Sequence, residues 1–288
     1  MHVALSSIFS TVVSWQIVDV NPCTKVKPPK MNRLNSDIEF FTLEQVKDFL
    51  TTLEMDYTSG YTGHIRIIGE TIIPISAYSE TRRIPTQFKV FFHIALFGGL
   101  RRGEILGLSW KDVDFKESSV SVNKSISYAN NEVTVKQPKT KSSIRNIVLP
   151  EFVMTLLREY QKEYYEYQSS LGDIWARDED GKAMDWMFIQ TDGKLMHPST
   201  PYGTFKDIIK KYNEIVEEGR KLPEITLHGL RHTHSTILIS ENVDVKTISS
   251  RLGHAKTSTA LDIYTHAIKA RDTVVADTLD NLFSKVPM

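Results

Sequence analysis

An α+β fold, mainly α-helical with a small three-stranded antiparallel sheet, follows from three features of the sequence. Apolar residues recur three and four apart through most of the chain, the helical period. A cluster of short β-branched runs with turn residues between them lies between positions 119 and 149. No apolar run approaches the ~20 residues that would cross a bilayer. With 288 residues the chain is long enough to bury a sizeable core, and 41% hydrophobic and 24% charged residues are ordinary globular values. Thirty-five basic residues balance thirty-five acidic ones, so net charge alone gives no sign of a polyanionic partner. The single cysteine, Cys23, excludes an internal disulfide and fits a reducing cytoplasm.

The elements follow in order. Leu5, Ile8, Phe9, Val12 and Val13 recur at helical spacing with Ser6, Ser7, Ser10 and Ser14 between them, and Asn21-Pro22 is expected to stop that helix. A basic leader and a small-residue cleavage site are both missing, so a signal peptide is not the reading. The apolar stripe implies absent neighbours, and residues 1–24 read as the last helix of a truncated domain. Residues 25–38, most of them in the stretch CTKVKPPKMNRLNSD (23–37), are basic and proline-bearing, hence a linker. The remainder, 39–288, reads as one domain. Thr42 is placed to cap a helix over 43–53, with Gln45 at the capping-box position. Residues 56–84 are turn-rich and read as an inserted hairpin.

A buried helix is expected over 87–96, where apolar residues occur nearly all round, ending at Gly98-Gly99; a second opens near Arg102. Strands are expected over 119–128, 132–136 and 144–149, with Asn130-Asn131 as the first turn. Helices then cover 151–168, 200–216, 228–240 and 245–252, a short one carries Tyr264, and a last one spans 273–283.

The charges are locally arranged although globally balanced. KQPKTKSSIR (136–145) holds Lys136, Lys139, Lys141 and Arg145 without an acid. Arg101 and Arg102, then Arg231 among His228, His232 and His234, then Arg251 with His254 and Lys256, complete the pattern. Each alone is a solvated face. Together, at element boundaries and rich in arginine, they fit a polyanion site, since guanidinium matches two phosphate oxygens at once.

Three readings compete for the histidines. In the first, His228, His232, His234 and His254 bind zinc. Helical geometry opposes it, because His232 and His234 lie about 200° apart around a helix. HExxH and paired cysteines are both missing. In the second, His232, His234 and His266 are hydrogen-bonded structural residues. In the third, Tyr264 is the nucleophile of a phosphoryl-transfer site. His228 and Arg231 stand at i and i+3, on one helix face. Gly253 suits a left-handed helix end, letting His254 and Tyr264 return toward the same point.

GLRRGEILGLSWKDVD (99–114), PKTKSSIRNIVLP (138–150), LHGLRHTHSTIL (227–238) and LGHAKTSTALDIYTH (252–266) resemble, in order and spacing, the motifs of the tyrosine recombinases, the phage integrase family. The resemblance covers roughly residues 39–270. It implies the helical, DNA breaking-rejoining type of catalytic domain, with residues 1–24 as the end of a core-binding domain. It implies that Arg101 and Arg231 hold the scissile phosphate, that Glu104 braces the site, and that Tyr264 attacks. His228 and His254 match the family's two histidines. Lys139 matches the hairpin lysine, with Lys136 and Lys141 as neighbours in the same hairpin.

The chemistry needs these residue types. A tyrosine hydroxyl, with pKa near ~10, must lose a proton as it attacks phosphorus, and a neutral His228 can take it. The arginines offset charge growing on the phosphate oxygens, as magnesium does elsewhere, and His254 adds a hydrogen bond. Lys139 can protonate the departing 5′-oxygen. No metal, cofactor or ATP is expected, and the sequence contains no GxxxxGK[ST] loop. The expected partner is double-stranded DNA, bound by a homotetramer on recombination sites and a monomer without DNA, with no membrane. The resemblance also implies that the last helix, with Val274, Val275, Leu279, Leu282 and Phe283 on one face, passes to a neighbouring protomer. A type IB topoisomerase-like nicking enzyme and a catalytically silent DNA-binding regulator are the alternatives.

Overall fold

The computed structural model describes residues 2–26, 40–61, 64–68, 71–75, 78–129, 132–136 and 144–253. The chain divides into two compact units, Met1–Asp37 and Ile38–Met288.

The first unit holds helix α1 (His2–Ser14) and a short 3₁₀ turn at Pro22–Thr24. Asn21-Pro22 does not stop α1. The helix ends earlier, in a Schellman reversal: Gln16 adopts φ 58°, its N–H donates to Val13 O, and Ile17 N–H donates to Val12 O. Asn21 instead reaches back along the helix, donating from Nδ2 to Ser6 O (2.9 Å) and Ser10 Oγ (3.0 Å). Its Oδ1 accepts from Cys23 N–H and caps the 3₁₀ turn. Leu5, Ile8 and Trp15 are exposed.

The second unit opens with α2 (Leu43–Glu54). Thr42 and Gln45 make the reciprocal capping box, Thr42 N–H to Gln45 Oε1 at 2.9 Å and Gln45 N–H to Thr42 Oγ1 at 3.3 Å. Val46, Phe49 and Leu53, at i, i+3 and i+7, form its buried face. The expected insertion is a long antiparallel hairpin. β1 (Asp56–Tyr61) pairs with β4 (Tyr78–Arg83), and β2 (His64–Ile68) with β3 (Thr71–Ile75).

The buried helix over 87–96 runs as α3 (Thr86–His93) and one wider π-type turn at Ile94–Gly98. Phe92 packs on Phe49 (5.7 Å between centroids) and Phe49 on Phe205 (5.3 Å), both edge-on, at the centre of the core. α4 (Arg102–Leu106) is a short helix.

The sheet differs in its membership from the expectation. Three strands do form an antiparallel sheet, but in the order β5 (Val113–Asp114), β6 (Ser119–Val122), β9 (Arg145–Val148). The single strand expected over 119–128 is broken at Asn123-Lys124. Buried Asp112 draws both side chains in, accepting from Asn123 Nδ2 (2.7 Å) and Lys124 Nζ. Past the break, β7 (Ser125–Ala129) pairs with β8 (Glu132–Lys136) as a separate hairpin. Helices α5 (Glu151–Leu171), α6 (Thr200–Ile215), α7 (Leu227–Ser240) and α8 (Val245–Leu252) complete the unit. The start of α2 is tied to α7 by Phe41 N–H donating to Thr233 Oγ1 at 2.9 Å. No helix among the described residues is long and apolar enough to cross a membrane.

Candidate active site

Arg101 occupies the N-cap position of α4 with extended backbone (φ −74°, ψ 150°), so its side chain leaves the helix start. Glu104, three residues on, folds back in the manner of a capping box. Its Oε2 accepts from Arg101 N–H at 2.9 Å and its Oε1 from Arg101 Nη1 at 2.9 Å. The Arg101 side chain is 41% exposed, so the rest of its fork remains open to solvent. Packing fixes where α4 lies. A Cβ on Gly103 would stand 2.4 Å from Ile126 O, so glycine lets the helix press onto the β7 backbone.

Glu104 is itself buried. Burial alone would raise its pKa; hydrogen bonds and charge from Arg145, then from Arg101, outweigh it and hold the carboxyl below its usual range. Arg145, the first residue of β9, donates from Nη2 to Glu104 Oε2 (2.9 Å) and from Nη1 to Oε1 (3.3 Å), with Nε donating to Arg251 O (2.7 Å).

Arg231 lies on α7, one turn beyond His228, and is almost wholly buried. Its Nη1 donates to Gly99 O and its Nη2 to Leu252 O, both at 2.6 Å, and Nη1 stands 4.0 Å from Glu104 Oε2. Those two carbonyls close the π-type turn and α8, so the cation rests at two negative helix ends. His228 keeps an exposed edge, and its pKa is lowered by partial desolvation and then by the charges of Arg231 and Arg101, so it is neutral at pH 7. A cleft of about 410 Å³ is lined by Arg101, Arg102, Tyr202 and His228 among others. Arg101 and His228 therefore face one space, with Arg231 charged and close behind. Lys139, His254 and Tyr264 lie outside the described residues, as do the expected helix around Tyr264, the last helix over 273–283, and His266.

His234 is a structural histidine. Its Nδ1–H donates to Leu96 O (2.7 Å), and its Nε2 accepts from Arg251 Nε (3.3 Å), which fixes the neutral tautomer. That lone pair is not available to a metal. Among the described residues, no group of three or more His, Cys, Asp or Glu side chains is placed to hold one. His232 packs edge-on against His228, with centroids 4.6 Å apart.

Arg145 and Arg251 carry structural roles at the site that their sequence clusters did not reveal. A signal for Arg145 was present: it shares the period-2 face of β9 with Ile147 and Leu149, both buried. Basic character drew attention to the cluster, and the alternation would have turned this arginine inward.

Comparison with known proteins fits this arrangement. The profile of the phage integrase family matches residues 69–271. The ICEBs1 integrase of Bacillus subtilis is 29% identical over 279 residues, 97% of this chain. The tyrosine recombinase XerC-like protein of Caldanaerobacter subterraneus is 27% identical over 292 aligned positions, again 97% of this chain. The chain spans 64% of the length of each of these two relatives. Among solved structures, the Tn1549 transposon integrase in complex with circular intermediate DNA shares the fold at TM-score 0.63 and 22% identity, covering 91% of this chain and 73% of that one. XerA recombinase shares it at TM-score 0.53 and 18% identity, over 98% and 75% of the two chains. With the profile matching most of the sequence, the chain belongs to the phage integrase family.

Proposed function

We propose that the chain is the catalytic part of a site-specific DNA recombinase that cleaves and rejoins DNA through a 3′-phosphotyrosyl intermediate. The observation that carries this reading is the single cleft shared by a half-open Arg101 and a neutral His228, with Glu104 and Arg231 behind it. A phosphodiester seated there meets a guanidinium for its nonbridging oxygens and an imidazole able to accept a proton. Tyr264 attacks phosphorus, its proton passes to His228, and Lys139 protonates the 5′-oxygen as the P–O bond breaks. Arg101, Arg231 and His254 stabilise the charge that grows on the nonbridging oxygens. Attack by a 5′-hydroxyl of another strand reverses these steps and exchanges the strands, conserving the ester without ATP.

Double-stranded DNA is the partner in this reading, in line with the DNA named in the Tn1549 integrase complex. Residues 1–24 are then the end of a second DNA-binding domain, 25–38 the linker and 39–288 the catalytic domain. The working form on paired sites is a homotetramer, with the last helix passing between protomers.

The test is a pool of nicked duplexes of randomised sequence, incubated with the chain in EDTA. The nick lets the released oligonucleotide diffuse away, so a covalent adduct accumulates and sequencing it reports the target. The adduct is expected in EDTA and is expected to vanish in Tyr264→Phe while DNA binding persists. An adduct that requires added zinc, or that survives Tyr264→Phe, overturns the reading.

A further inference from the structure

The Glu104 carboxylate is shared by more cations than one bracing role requires. Arg101 takes one side-chain bond and one backbone bond from it. Arg145 takes both oxygens through its fork and is itself only 8% exposed. Arg231, 3% exposed, comes within 4.0 Å yet bonds to the carbonyls of Gly99 and Leu252 instead. The carboxylate is thus saturated: Arg101 makes one side-chain bond to it, and Arg231 stands at the edge of ion-pair distance.

Arg145 also touches each part of the frame. It begins β9, immediately after the stretch that contains Lys139. Its Nε holds Arg251 O in the last turn of α8. A Cβ on Gly253 would stand 2.9 Å from its Nη1, so the left-handed glycine (φ 65°) leaves room for the guanidinium. It is a wedge between the brace, the sheet and the end of α8.

Removing the wedge has a definite electrostatic consequence. A buried carboxylate with an open face demands a new partner, since leaving it unpaired is costly. The nearest candidates are Arg231, 4.0 Å away, and the open half of Arg101. Arg231 is already held by two carbonyls and does not line the cleft, so it is the open half of Arg101 that would turn toward Glu104 and away from the cleft.

We propose that Arg145 is a positioning residue: by saturating Glu104 it keeps the open half of Arg101 available to the scissile phosphate. The inference rests on the recombinase reading and deepens it. It treats Arg145 as a counter-ion whose absence turns the brace into a trap.

The experiment measures single-turnover adduct formation and DNA affinity for the whole chain, on a duplex captured from the nicked pool. Arg145→Met keeps the apolar stem and removes the charge. It is expected to slow adduct formation by about 100-fold while DNA affinity changes less than about threefold. Arg145→Lys, which keeps charge without the fork, is expected to fall between Met and wild type. The decisive variant adds Glu104→Gln to Arg145→Met. A neutral amide no longer captures Arg101, so the double variant is expected to react about tenfold faster than Arg145→Met alone. A purely structural role for Arg145 predicts no such recovery. Wild-type rates in Arg145→Met, or a double variant no faster than the single one, overturn the inference. Circular dichroism accompanies each variant; if Arg145→Met is unfolded, Arg145→Lys decides, and a wild-type rate there overturns the inference. If the wild-type chain forms no adduct, the recombinase reading falls first and this inference with it.

Discussion

His234 makes the fold of this domain acid-sensitive in a way that can be separated from its carboxylates. Burial, then the charge of Arg251, lowers its pKa from 6.5 to about 4, and the hydrogen bond to Leu96 O only partly opposes the fall. The folded state therefore holds the neutral ring while the unfolded chain takes up a proton below its ordinary pKa. Stability from this residue is complete above pH 6.5 and is lost as pH falls toward 4, because the unfolded state binds the extra proton. Applying the two pKa values to the linkage relation gives about 2 kcal/mol lost between pH 7 and pH 5. In structural terms, a protonated Nε2 can no longer accept from Arg251, and two cations then face each other. His93 and His228 are also depressed and add losses of the same sign, so a difference measurement is needed. Urea denaturation at pH 7, 6 and 5 supplies it, run on the wild type and on His234→Leu. The variant is expected to start less stable at pH 7 and to lose about 2 kcal/mol less than the wild type by pH 5. Parallel pH profiles for the two proteins would refute the assignment of this loss to His234.

Other perturbations separate the frame from the chemistry. Gly103→Ala places a methyl group against Ile126 O, at 2.4 Å from rigid backbone, and is expected to cost about 1–3 kcal/mol in urea denaturation. Since Arg101 begins the same helix, adduct formation is expected to slow as well. Thr42→Ala removes the capping box of α2, outside the cleft lining, and is expected to lower stability by about 1 kcal/mol with adduct formation unchanged. If Lys139 is the acid, Lys139→Ala is expected to recover on a substrate with a 5′-bridging sulfur, whereas Arg231→Ala is not. Recovery of Lys136→Ala or Lys141→Ala in place of Lys139→Ala would move the assignment to that lysine.

What the sequence made legible was whatever local chemistry decides. Thr42 with Gln45, and Gly253 at the left-handed end of α8, occupy their positions because capping and backbone sterics act over a few residues. The ends and breaks set by distant partners were not legible. The strand over 119–128 reads as continuous from propensity, and only Asp112, eleven residues away from Asn123, breaks it. Asn21-Pro22 reads as a helix stop, whereas Gln16 had already reversed the chain and Asn21 reached back to Ser6. Around the cleft, Arg101, Glu104, His228 and Arg231 were singled out by their motifs. Arg145 and Arg251 looked like surface charge because their acceptors, Glu104 and the carbonyls of Phe97 and Val148, are remote in sequence.

The double grip on the end of α8 reverses the way a short helix normally comes apart. An eight-residue helix frays from both ends, and its last carbonyls exchange partners with water. Here Arg145 holds Arg251 O, and Arg231 holds Leu252 O from inside the core. The opening half has the exposed cap of Asp244 on Thr247 N–H, with Val245 and Ile248 packed near Ile239 but with no buried cation on its polar groups among the described residues. Amide exchange along α8 should therefore run fast at Thr247 and slow toward Leu252 and Gly253, whose N–H groups lie in the gripped turn. The chain thus leaves this helix from a stub anchored at both of its last carbonyls.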